Sequence, residues 1–111
     1  MIIVHGIIPI RADQRELALD LARRMTSASK QEEGCISYDF YIGVAEPDKL
    51  MLFQEWESMD ALMGHFQTEH IEEFLRELPK VVAGEITTRR YAVQSVDEEM
   101  QPDTEAPPVI H

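Results

Sequence analysis

The stretch FQEWESMDALMGHFQTEHIEEF, residues 53–74, carries two histidines downstream of a Glu-Trp pair. A histidine titrates near neutrality, with an unperturbed pKa of about 6.5, and so suits proton abstraction from a bound molecule. His65 follows Leu62 by three residues and shares the buried side of its helix, where it could face a pocket as a base or substrate ligand. The alternative is a side chain that ties its helix to a loop, or to Glu55, by a hydrogen bond. His70 opens the next helix, just before Ile71, a place that suits a cap or a solvent-facing side chain as well as a ligand. The two histidines are five residues apart across a helix break, which is not the i, i+4 spacing of a helical zinc site. Glu55 or His5 would supply a third ligand only by an accident of folding, so no metal is expected.

Around these histidines stand further polar and aromatic candidates. Glu55 lies near a strand end on the side of Met51 and Phe53. Burial would raise its pKa unless it is paired, and it could orient His65, hold a backbone amide or contact a second copy of the chain. Trp56 points the opposite way, to line a pocket or to fill the core. Tyr38 shares a strand face with Ile36 and Phe40, and a buried phenol needs a partner for its hydroxyl, either a substrate oxygen or a carbonyl. Cys35 follows Gly34 with nothing basic beside it and is read as packing.

The elements that must position these residues follow from periodicity. IIVHGIIPI (2–10) is short and β-branched, a first strand. In ADQRELALDLARRMTSASKQ, Leu17, Leu21, Met25 and Ala28 fall on one helical face, Asp13 and Glu16 have the spacing of a capping box, and Gly34 closes the region. CISYDFYIG (35–43) and LMLFQEW (50–56) flank a Pro-Asp turn and form a hairpin. Ser58 and Thr68 can cap two short helices, Pro79 ends the second, and VVAGEITTRRYAV (81–93) is the fourth strand, with Gly84 a possible bulge. The order β-α-β-β-α-β predicts an α+β, ferredoxin-like antiparallel sheet with helices on one face.

Strands one and three are apolar on both sides, with Ile3 and Ile7 backing Val4 and Ile8, and Met51 and Phe53 backing Leu50 and Leu52. A bare apolar sheet face is unusual on a monomer, so two sheets packed face to face in a homodimer are expected. The chain has 111 residues, enough for one domain over 1–96, followed by a Pro-containing tail over 97–111 with five acids and no Lys or Arg. The tail has little to bury, and through Val109 and Ile110 it is expected to wrap a partner protomer or a crystal neighbour. The net charge of −11 argues against nucleic acid and anionic membranes as partners. One cysteine excludes an intrachain disulfide, and the N-terminus lacks the basic n-region of a signal peptide, so a reducing cytoplasm is the expected location.

EEGCISYDFY followed by FQEWESMDALMGHFQTEHIEEF resembles the antibiotic biosynthesis monooxygenase domain, in which a Glu-x-Gly-Cys and Tyr precede a Glu, a Trp, a Ser and two His. The matching residues are Glu32 or Glu33, Gly34, Cys35, Tyr38, Glu55, Trp56, Ser58, His65, Thr68 and His70, and the likeness spans about residues 1–95. The resemblance implies a dimeric α+β barrel with a pocket between sheet and helices in each protomer. It further implies cofactor-independent oxygenation of a hydroxylated aromatic or quinol by dioxygen. In that reading His65 and Glu55 are the catalytic candidates, and Tyr38, Trp56, His70 and Phe66 would line the substrate. Gly6 and Leu75 stand where haem-degrading relatives carry an Asn and an axial His, so haem has no donor, and no glycine-rich loop for nicotinamide or flavin follows strand one. Two other readings stay open: a non-catalytic ligand-binding barrel, and an isomerase of small phosphorylated carbonyl compounds. The isomerase would rely on Arg89 and Arg90, which point to opposite faces of one strand.

Overall fold

The computed structural model describes residues 1–96. The acidic tail, including Val109 and Ile110, lies outside the described residues. Four strands, β1 (Ile2–Pro9), β2 (Cys35–Ile42), β3 (Lys49–Trp56) and β4 (Thr87–Ala92), form one antiparallel sheet in the order β2-β3-β1-β4. Helices α1 (Arg15–Ser29), α2 (Met59–His65) and α3 (Glu69–Glu77) cover one face, giving the expected ferredoxin-like α+β arrangement. None of the helices among the described residues is long and apolar enough to cross a membrane.

The strict alternation of β1 and β3 separates the two faces. Ile2, Val4, Ile8, Leu50, Leu52 and Trp56 are buried beneath the helices, while Ile3, Ile7, Met51 and Phe53 lie on the open face and stay half-buried. Helix α1 seals the core with Ala18, Leu21, Ala22 and Met25 at helical spacing. Leu62 of α2 and Met25 of α1 are almost wholly buried in one cluster with Tyr38 and Trp56. Truncating either to Ala would cost about 2–5 kcal/mol through lost burial and the cavity left behind.

Four local expectations are corrected. The Asp13–Glu16 capping box does not form: Ala12–Gln14 is a single 3-10 turn, Asp13 pairs with Arg11, and Gln14 stands at the helix start without a side-chain cap. In β2 a bulge between Cys35 and Ser37 leaves Ile36 about half exposed, so it does not share Tyr38's face; Cys35 takes the register position opposite Trp56 and packs against the core. One unpaired residue shifts the alternation behind it, and no period in the sequence marks that shift. The fourth strand is shorter than 81–93, because Leu78–Lys80 forms a 3-10 turn, Val82 makes only an isolated bridge to Ile10, and regular pairing begins at Thr87. Gly84 therefore precedes the strand.

Two devices fix the elements around the future site. Gly34 adopts φ +85°, and a Cβ there would sit 2.5 Å from the Ala61 Cβ, so the turn after α1 runs tightly against α2. Only glycine accepts both conditions cheaply. The Thr68 hydroxyl donates to the His65 carbonyl at 2.8 Å and accepts from the Ile71 N–H at 3.3 Å, tying the end of α2 to the start of α3. Ser58 caps α2 by accepting from the Ala61 N–H, as expected.

Candidate functional site

Glu32 leaves the turn held by Gly34 and meets both histidines. Its Oε2 lies 2.7 Å from His65 Nδ1 and 2.5 Å from His70 Nε2. A carboxylate only accepts, so each of those ring nitrogens carries the proton it donates. For His65 this leaves Nε2 as the acceptor nitrogen, and Nε2 lies 3.5 Å from the Tyr38 hydroxyl. His65 and Tyr38 are both buried, and the rings of Trp56 and Phe66 sit 5.0 and 5.8 Å from the His65 ring. The indole N–H of Trp56 is satisfied by Gln54 Oε1 at 2.6 Å.

Burial depresses the His65 pKa below its ordinary value, and the neighbouring His70 adds to the fall; the hydrogen bond to Glu32 and its negative charge oppose this without overcoming it. The imidazole is therefore neutral at pH 7, the form a base needs. Burial also pushes the Tyr38 hydroxyl well above its ordinary range, reinforced by the charge of Glu32, so Tyr38 is a donor and not a phenolate. Ser29 Oγ is fully buried and makes no hydrogen bond of ordinary geometry among the described residues. It lies near enough to the phenol to offset that rise slightly.

A cavity of about 240 Å³ opens between the sheet and helices α2 and α3. Val4, Tyr38, Leu52, His65, Phe66 and Phe74 line it, and Thr88 and Arg90 of β4 complete its wall, with the Arg90 guanidinium 5.4 Å from the Phe66 ring centre. The volume falls just under the roughly 300–1,000 Å³ of typical small-molecule sites, which suits one or two fused rings.

The structure brings His65, Tyr38 and Phe66 to one cavity and places the other candidates beside it or elsewhere. His70 reaches the site through Glu32 and is a quarter exposed. Trp56 is fully buried, backs the His65 ring and is not among the lining residues. Glu55 sits on the open face of the sheet, where it accepts from the Ser37 hydroxyl at 2.8 Å, and does not reach His65. The carboxylate that orients His65 is Glu32, which spacing arguments passed over because it comes from a turn distant in sequence. The signal that could have selected it is the first residue of the Glu-x-Gly-Cys match. Glu32, His65 and His70 also form a group whose donor atoms lie within 4.8 Å of one another, a potential metal set that neither Glu55 nor His5 enters. Hydrogen bonds through Glu32 Oε2 join the three.

The model of the family described as antibiotic biosynthesis monooxygenase matches residues 1–77. An uncharacterised protein of Synechocystis sp. is 33% identical over 92 residues, covering 83% of this chain and 63% of the relative. A probable quinol monooxygenase of Escherichia coli K12 is 31% identical over 68 residues, covering 54% of this chain and 65% of the relative. The chain thus spans under two-thirds of the length of each of these two. Among solved structures, Rv0793 from Mycobacterium tuberculosis superposes with a TM-score of 0.79 at 23% identity, over 86% of this chain and 96% of that one. A structure titled antibiotic biosynthesis monooxygenase gives 0.79 at 22% identity, over 86% and 100%. At these identities the structural likeness speaks for the fold alone.

Proposed function

Because this chain belongs to the antibiotic biosynthesis monooxygenase family, we propose that it oxygenates a hydroxylated aromatic or quinol substrate with dioxygen, without a cofactor, and that His65 is the base. The observation that carries this reading is a buried imidazole on the cavity wall whose Nδ1 is held by Glu32 and whose Nε2 faces the Tyr38 hydroxyl.

The chemistry closes on substrate and dioxygen alone. Nε2 of His65 takes a proton from the hydroxyl or the activated ring position. The resulting anion passes one electron to dioxygen, and the radical pair recombines through a carbon–oxygen bond to a peroxide anion, which takes the proton back from His65 to become a hydroperoxide. Loss of water leaves one oxygen atom in the product, and the substrate itself has supplied the electrons that reduce the other. The protein's part is to position the ring, accept the proton and exclude bulk water. Tyr38, kept protonated by burial, can donate to a substrate oxygen as charge develops on it. His70 shares the Glu32 carboxylate and serves as a positioning residue.

The reading includes a homodimer formed through the open sheet face. Half-buried Ile3, Ile7, Met51 and Phe53, together with Tyr41 and Tyr91 at about half exposure, give that face an apolar centre suited to a second copy. Oxygen uptake by the purified protein with anthrones and hydroquinones tests the activity. Substrate-dependent uptake that is lost in His65→Ala is the expected result, and equal uptake by the two proteins contradicts the assigned base.

A further inference from the structure

The chain is strongly acidic, with 21 Asp and Glu against 10 Lys and Arg. Yet among the described residues no carboxylate lines the cavity, and the one permanently charged lining residue is Arg90. Elsewhere six bases, Arg11, Arg15, Arg24, Lys30, Lys49 and Lys80, lie beside a carboxylate, while Arg23, Arg76 and Arg89 make no ion pair among the described residues but do not line this cavity. Arg90 has no such partner among the described residues and lies over the Phe66 ring, with its guanidinium edge left for another acceptor. Thr88, two residues earlier on the same face of β4, adds a hydroxyl to the same wall. The remaining walls are mostly apolar, and Gln54 is engaged by Trp56.

We propose that Arg90 is the specificity-determining residue of this cavity and selects aromatic substrates that carry a carboxylate, with Thr88 as its auxiliary donor and the hydroxylated end of the ring directed at His65. The Phe66 ring centre is 5.8 Å from the His65 ring and 5.4 Å from the Arg90 guanidinium carbon. The His65 ring and the Arg90 guanidinium carbon therefore lie at most about 11 Å apart, a span that suits a single ring with a hydroxyl opposite a carboxylate better than the long axis of a bicyclic acid. One guanidinium matches the planar, singly charged carboxylate in bidentate fashion, whereas a phosphate dianion would find no second cation on these walls. The substrate's hydroxylated character rests on the reading of His65 as base; recognition of the carboxylate does not.

The test is calorimetric binding, under anaerobic conditions, of a phenol bearing a carboxylate para to its hydroxyl, beside the matching carboxamide. The wild-type protein is expected to bind the acid about tenfold more tightly than the amide, a preference that shrinks as salt screens the exposed guanidinium. Arg90→Gln should abolish the preference of acid over amide, and Arg90→Lys should keep part of it. Arg89→Gln, which removes the same charge from the opposite face of β4, should leave it intact. Equal binding of acid and amide to the wild type, or a preference that survives Arg90→Gln, overturns the proposal while leaving the cavity and His65 standing. Binding of neither compound overturns it together with the reading of the cavity as a substrate site.

Discussion

The two faces of the sheet are built from the same alternating strands, yet they hold their polar groups in different ways. On the open face Glu55 is only part-buried and is met by a single serine hydroxyl. On the helix face Glu32 is mostly shielded and is met by two imidazoles, one of them fully buried. The first carboxylate needs nothing beyond a short hydrogen bond and nearby solvent. The second sits where an unpaired charge would be costly, and its position fixes which nitrogen of His65 is left as the acceptor. What separates a surface acid from a site acid here is the company supplied by three distant segments, not the residue type or its place in a strand.

The largest expected effect separates these two regions. His65→Ala should lower kcat/KM by at least about 100-fold, the contribution of a positioned general base, whereas Glu55→Gln should change it by less than about twofold. Steady-state oxygen consumption on both variants reads the difference; comparable losses would move the chemistry to the open face.

Phe53→Asp attacks the other region. It sets a charge in the centre of the apolar open face, twice in a symmetric pair, and should weaken self-association by at least about 100-fold. Light scattering across a dilution series would register the shift to monomer. An unchanged mass would mean that this face is not the contact.

Glu32→Gln is a smaller change. It keeps an acceptor for His65 but removes the charge, and about a tenfold loss in kcat/KM is expected, the equivalent of one charge-assisted hydrogen bond. The pH profile carries a more specific signature. The base must be neutral, and burial already holds the His65 pKa below its ordinary value, so wild-type kcat/KM should stay level as pH falls past about 6.5 and decline only below that. Glu32 raises the His65 pKa through both its hydrogen bond and its charge, so losing the charge should move the acid limb to still lower pH. A limb that moves upward would contradict the pairing.

The smallest expected effect is on stability. Ser58→Ala removes the cap of α2, whose C-terminal residue is His65, and should cost about 1 kcal/mol by denaturant unfolding.

Much of the fold was legible because it rests on period and punctuation. The alternation of β1 and β3, the helical face of α1 and the caps Ser58 and Thr68 are local signals that tertiary packing reinforced. The failures occurred where a single residue changes the count or a distant segment intervenes. The bulge at Ile36 reassigns Cys35 to the core side without altering composition, and a 3-10 turn displaces the start that Asp13 and Glu16 suggested. For the site, spacing placed His65 on the buried face because it follows Leu62, but it could not join Glu32 to His65, since that contact spans 33 positions and depends on the left-handed turn at Gly34. His70 was read from its place at a helix start, which describes its exposure but not its bond to Glu32.

The proposed chemistry depends on the protonation pattern of one ring, that of His65. Long-range proton–nitrogen correlation NMR on histidine-labelled protein at pH 7 reports that pattern directly, with His65→Gln to assign the signal. The expected spectrum shows a neutral His65 with the proton on Nδ1 and an unprotonated Nε2. A proton on Nε2, or a doubly protonated ring, would leave the cavity without a base and contradict the account.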